Sequence, residues 1–133
     1  MKTEMTQNER RLFLLHRLME EHSPHCRVAM PDNVSEQKQL LRALMNIRVP
    51  KPIDDVFLCI QNAYLQEEIC QKGITEVRDL IPVKDKIYLW QGDITTLKAD
   101  AIVNAANSQM LGCFHPCHSC IDNAIHTLSL IHI

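Results

Sequence analysis

The sequence predicts an α/β chain: a helical region running to about residue 85, then the first strands of a second, mixed region. Two observations predict it. Apolar residues recur at helical spacing through much of the first 85 positions. From Lys86 onward that period gives way to two short apolar runs of strand length.

The elements follow in order. Glu9 to Glu20 sets Leu12, Leu15 and Met19 on one stripe of a first helix. SPHCRVAMPDN is a Pro-containing connection. Ser35 suits the N-cap of a second helix, with Glu36 just inside it, and Leu40, Leu41, Leu44 and Ile47 follow at helical spacing. The prolines of VPKP, Val49 to Pro52, stop that helix, because proline lacks the N–H and crowds the residue before it. A third helix is predicted over Ile53 to Lys72, with Val56, Phe57, Ile60 and Tyr64 on one face and Gly73 as the residue just past its end. KIYLWQ then reads as a strand ended by Gly92-Asp93, and Thr95 to Ala99 as one helical turn. Ala101 to Ala105 is short enough for a buried strand. IDNAIHTL starts a last helix with Asp122 near its positively polarised end. No repeat or low-complexity tract is visible.

At 133 residues the chain has about the length of one domain with a real core. Apolar residues make up 46% and charged residues 23%, with a formal net charge of −2. These values are ordinary for a soluble protein and carry no basic excess pointing to nucleic acid. The apolar run Leu12 to Leu15 is too short for a signal peptide, and no window approaches the roughly 18 apolar residues of a membrane span. A cytoplasmic, reducing location is therefore expected. There, clustered Cys and His bind metal or do redox chemistry more often than they form disulfides.

Such a cluster exists in GCFHPCHSC, Gly112 to Cys120: three of the six cysteines and two of the seven histidines. Cys113, His118 and Cys120 supply three soft ligands of the kind zinc takes. A catalytic zinc uses three protein ligands, whereas a structural one uses four. Cys117 would close the site as a fourth. His115 is a further candidate, restricted by Pro116 beside it. Two other chemistries compete. Cys113, Cys117 and Cys120 have the C-x3-C-x2-C spacing of an iron–sulfur cluster, and Cys117 to Cys120 is a C-x-x-C unit with redox potential.

Trp90 to Thr127 resembles the opening of a macrodomain, and more narrowly the zinc-containing macrodomains of bacteria. The residues that carry the likeness are GDIT (Gly92 to Thr95), NAAN (Asn104 to Asn107), the Cys/His loop and IDNAIH after it. LLRALMNIRVP (Leu40 to Pro50) and the segment around Tyr64 to Glu68 are similar to the helical extension of that subfamily. The resemblance implies a three-layer α/β/α fold in an intact member. It implies a zinc-dependent hydrolase that removes ADP-ribose from modified protein side chains by cleavage at C1″. Its partners would be ADP-ribose and an ADP-ribosylated protein. In the roles it implies, Asp93 accepts from the adenine amino group, Ile94 lies alongside the base and Asn107 contacts the distal ribose. Cys113, His118 and Cys120 would hold Zn2+, and Asp122 would stand near the scissile bond, so Asn107 and Asp122 become the catalytic candidates.

Plainer roles stand beside each. Asp93 could cap the turn after its strand, Asn107 could serve a turn through its tolerance of the left-handed region, and Asp122 could be a helix cap or dipole partner. His126 reads as a packed or surface helix residue. Cys26, Cys59 and Cys70 read as small buried hydrophobes, Met30, Met45 and Met110 as core filler, and His22 and His25 as loop residues. On the resemblance, residues 1–85 form the helical extension and 86–127 the start of a macrodomain. LSLIHI lies outside the family pattern, so residues 128–133 are expected to be a foreign tail on a truncated chain. A non-catalytic ADP-ribose-binding module and a helical interaction module are the alternatives to the hydrolase.

Overall fold

The computed structural model describes residues 5–22 and 29–129. The expectations placed on His25 and Cys26, and on most of the tail, lie outside them. The chain is α/β, with a helical amino-terminal region and short strands after it.

Three helices form the amino-terminal region: α1 (Gln7–His22), α2 (Val34–Ile47) and α3 (Asp55–Lys72). Their starts and stops follow local chemistry. The second helix is capped by Asn33 rather than Ser35; the Asn33 side chain accepts from the Glu36 N–H at 2.8 Å. Both residues are good caps, and Asn33 holds the extended backbone that a cap requires. Asp54 caps α3 by accepting from the Phe57 N–H at 2.9 Å. That bond first, and Arg17 second, hold its carboxyl below the usual carboxylate range. Gly73 ends α3 at φ 89°, a left-handed conformation that costs glycine little. His22, expected in a loop, is the last residue of α1. We expect Asn33→Ala to lower stability by about 1 kcal/mol, the usual worth of such a cap, measured by urea unfolding.

The apolar core lies within this bundle. Leu14, Leu15 and Leu18 of α1, Leu41, Leu44 and Met45 of α2, and Phe57 and Tyr64 of α3 are buried together. The buried stripe of α1 is therefore Leu14-Leu15-Leu18, with Leu15 as expected but Leu12 and Met19 only half-buried. On α3, Phe57 and Tyr64 are buried and Ile60 packs at the edge, whereas Val56 is 60% exposed. Helical period permits either stripe in such leucine-rich helices; the position of the neighbouring helices selects one. Two buried cations of the bundle are matched. Arg11 donates to Gln37 Oε1 at 3.0 Å, and Arg48 pairs with Glu21 at 2.9 Å. Met45 is core, Met30 packs against it, and Met110 is 82% exposed rather than core filler. Cys59 and Cys70 are exposed, also against expectation.

The strands are short. β1 (Thr75–Glu76) pairs in parallel with β4 (Leu97–Lys98), and β2 (Pro82–Lys84) pairs antiparallel with β3 (Ile87–Tyr88). Of the predicted strand KIYLWQ, only Ile87 and Tyr88 join a ladder. The predicted turn at 95–99 is a single 3-10 turn over Ile94–Thr96, followed by β4. Ala101 to Ala105 is not a buried strand: among the described residues it has no ladder partner, and Val103 is 89% exposed. An apolar run has strand character only when a neighbour takes its backbone hydrogen bonds. The last helix, α4 (Ile121–Ser129), packs on α2. No described helix is long and apolar enough to cross a membrane.

Candidate functional site

The Cys/His loop lies between two features that position it. Before it, Gly112 takes φ 84° and turns the chain; its carbonyl accepts from Asn107 Nδ2 at 2.6 Å. After it, Cys120 leads into α4: its carbonyl accepts from the Ala124 N–H, and its sulfur from the Asn123 N–H at 3.3 Å.

The ligand atoms of Cys113, His118 and Cys120 all lie within 4.8 Å of one another. A zinc ion bonded at about 2.0–2.3 Å to each would hold such atoms about 3.3–3.8 Å apart, so a small closing movement completes the trio. Two thiols and an imidazole are also the donor set zinc prefers, and the residues present fit it. Cys117 is not part of the group. Its backbone is left-handed at φ 53°, and its thiol donates to the Gln39 carbonyl at 3.5 Å. The fourth ligand of a closed site and the third thiol of a C-x3-C-x2-C cluster are thus turned away. His115 lies outside the trio too, its ring 5.3 Å from that of His118. The five described cysteines, Cys59, Cys70, Cys113, Cys117 and Cys120, are all free thiols.

Beside the loop, Asp122 is only 4% exposed. Its Oδ1 accepts from Asn104 Nδ2 at 2.9 Å and its Oδ2 from Asn107 Nδ2 at 3.4 Å. The structure therefore brings Asn107 and Asp122 together. Asn107 also serves a turn: its Oδ1 accepts from the Gln109 N–H at 3.0 Å. His126 is buried against Phe114 in an edge-on contact at 4.7 Å. Burial holds its imidazole below the usual range, partly opposed by a backbone hydrogen bond to Cys113 and by Asp122.

Asp93 sits apart from this cluster and largely in solvent. Its Oδ1 accepts from the Thr95 hydroxyl at 2.6 Å and the Thr95 N–H at 3.0 Å, and Lys72 Nζ stands 3.4 Å from Oδ2. The Thr95 hydroxyl first, then the Thr95 N–H and Lys72, hold the carboxyl below its usual range. Asp93 caps the 3-10 turn, as the plainer reading expects. Ile94 lines an open groove of about 350 Å³ with Leu97, Ala101, Ile102 and, from α4, Ile125 and Leu128.

Sequence reasoning missed four residues. Asn104 lies within NAAN, but only the last asparagine of that segment received a role. Asn123 is fully buried and donates from Nδ2 to the carbonyls of Cys113 at 3.1 Å and His115 at 2.8 Å. Arg42 and Asn46 of α2 reach the same loop. Their spacing of four puts two polar residues on one side of a helix, a signal the apolar count passes over.

The fold and this site together define an α/β chain in which a Cys2His metal-type loop, just before α4, is bonded to α2 of the helical region. No protein-family profile matches the chain. It is similar to a protein-ADP-ribose hydrolase of Treponema medium, 56% identical over 129 residues, or 94% of this chain and 49% of that protein. It is also similar to a protein-ADP-ribose hydrolase of Staphylococcus aureus strain MRSA252, 42% identical over 128 residues, or 96% of this chain and 48% of that one. A probable bifunctional ADP-ribose hydrolase/ADP-ribosyltransferase of Fusarium oxysporum f. sp. cubense is 41% identical over 99 residues, covering 65% of this chain and 16% of its own length. The chain spans about half the length of the first two.

Proposed function

We propose that this chain belongs to a zinc-dependent hydrolase of the macrodomain type, which removes ADP-ribose from modified protein side chains in a reducing, cytoplasmic setting. The observation that carries the reading is the convergence of Cys113, His118 and Cys120 within 4.8 Å, next to Asp122 with Asn104 and Asn107 bonded to it. The names of the relatives at 42% and 56% identity support the substrate class.

Cys113, His118 and Cys120 would hold the ion, which supplies Lewis-acid chemistry when bound. The chain's own residues do the rest. Asp93 presents an acceptor-only group to the exocyclic amine of adenine. Ile94 and Ile102 give the base an apolar wall in the groove they share. Asn107 Oδ1, which accepts from the Gln109 N–H, keeps a second lone pair for a distal ribose hydroxyl, while its Nδ2 is held by the Gly112 carbonyl and Asp122. Asp122 accepts from the side-chain amides of Asn104 and Asn107, and this buried pairing supports a role for the Asp122 carboxyl group near C1″. Orientation of this kind is worth several orders of magnitude in rate when the reacting groups are held close.

The test is release of free ADP-ribose from an ADP-ribosylated protein, followed by chromatography, with the purified chain before and after chelation. Turnover that disappears on chelation and returns with zinc is expected. Zinc and ADP-ribose binding without turnover at any metal loading would instead support a non-catalytic ADP-ribose-binding module.

A further inference from the structure

Each candidate ligand residue is held by a hydrogen bond from a neighbouring helix: Cys113 and His118 through their carbonyls, and Cys120 at its sulfur. Asn123 takes the Cys113 carbonyl at 3.1 Å and gives its N–H to the Cys120 sulfur at 3.3 Å. Arg42, from α2, donates through one terminal nitrogen to the His118 carbonyl and to Asn123 Oδ1, both at 2.9 Å. Asn46, one turn further along α2 and fully buried, accepts from the Cys117 N–H on Oδ1 at 3.1 Å. Its Nδ2 donates to Thr127 Oγ1 at 2.9 Å, and that hydroxyl donates to the Asn123 carbonyl at 2.9 Å. The network is closed: α2 binds the loop, the loop binds α4, and α4 binds α2.

We infer that Arg42 and Asn46 of the helical extension are positioning residues for the Cys/His metal site, so that α2 acts as a splint for the loop. The inference rests on the metal reading above. Two observations separate it from simple helix docking. The seam between α2 and α4 is crossed by polar hydrogen bonds, Arg42 to Asn123 and Asn46 to Thr127, with Asn46 and Asn123 fully buried. Apolar side chains would dock two helices without the desolvation cost of polar ones, whereas matched hydrogen bonds fix a register. The second observation is where the bonds end. They land on the backbone of a loop whose turn at Cys117 is left-handed, a conformation a non-glycine residue keeps only when its surroundings hold it there. Asn46 takes the N–H of that very residue. Outer-shell partners of this kind set the orientation of metal ligands, and their loss usually weakens metal binding about 10–100-fold.

The experiment is a cobalt(II) titration of the full chain, read by the sulfur-to-cobalt charge-transfer band and the visible d–d bands, with far-ultraviolet circular dichroism alongside. Arg42→Met and Asn46→Leu keep side-chain bulk while removing the bonds. Each is expected to weaken cobalt binding about 10–100-fold and to alter the d–d bands, with the helical signal retained. Arg42→Lys, which keeps a donor, should recover part of the loss. Gln39→Ala, an exposed change on the same helix, should bind as wild type does. If Asn46→Leu fails to fold, the half-buried Arg42 decides the matter through its two variants. Wild-type affinity and spectrum in Arg42→Met would overturn the splint while leaving the metal reading intact. Wild-type protein that takes up no cobalt would sink the metal reading, and the splint with it.

Discussion

Cys113→Ser is expected to empty the metal site. A serine hydroxyl is a hard, weakly acidic donor where zinc prefers a soft sulfur, and two remaining ligands cannot fill the coordination zinc requires. Changes one shell out already cost about 10–100-fold in metal affinity, so losing a direct ligand should cost more than about 100-fold. Hydrolysis, on the proposed function, falls to background with it. The helices should survive, because Cys113 lies outside the Leu14–Phe57 core. The measurement is metal content after gel filtration, paired with circular dichroism. Cys117→Ser is the internal control, since the Cys117 thiol faces Gln39 and not the trio. Full, tightly held zinc in Cys113→Ser together with loss in Cys117→Ser would reverse the assignment of ligands.

Phe57→Ala should have the largest effect on stability. Phe57 has no exposed surface and sits where α1, α2 and α3 meet. Removing a buried phenylalanine ring costs about 3–5 kcal/mol: the lost transfer energy of the ring plus the cavity the neighbours cannot fill. Small domains have only about 5–15 kcal/mol in total, so much of the folded population at elevated temperature disappears. At roughly 4–8 °C per kcal/mol for a unit of this size, the melting midpoint should fall by more than about 12 °C. Val56, the neighbouring residue that helical period places on the same face, is 60% exposed. Val56→Ala should stay within about 0.5 kcal/mol of wild type. Equal losses from the two variants would show that α3 is rotated relative to the arrangement described above.

This pair of residues shows how much of the fold the sequence carries. Helix existence, the stop at Val49 to Pro52 and the Gly73 terminus are legible, because each depends on residues within one or two turns. The buried stripe is only half legible. Leu12, Leu14, Leu15, Leu18 and Met19 offer more than one apolar face, and period alone does not choose among them. The run Ala101 to Ala105 fails for a related reason. It has the composition of a buried strand, but burial and pairing are supplied by other parts of a protein, and here Val103 stays in solvent.

By itself, the sequence determined the chemistry of the candidate site. Cys113, His118 and Cys120 are within eight residues of one another, so any compact loop brings their donor atoms close, and NAAN and IDNAIH follow as short local units. Only the tertiary structure decided which of the loop's five Cys and His side chains converge. It turned Cys117 toward Gln39, joined Asp122 to Asn104 and Asn107, and brought Arg42 and Asn46 to the loop and to α4 across separations of 71 to 81 residues. Ligand type and spacing are properties of a short segment. Orientation is set by hydrogen bonds from helices far away in the chain, and those depend on how α2 and α4 pack.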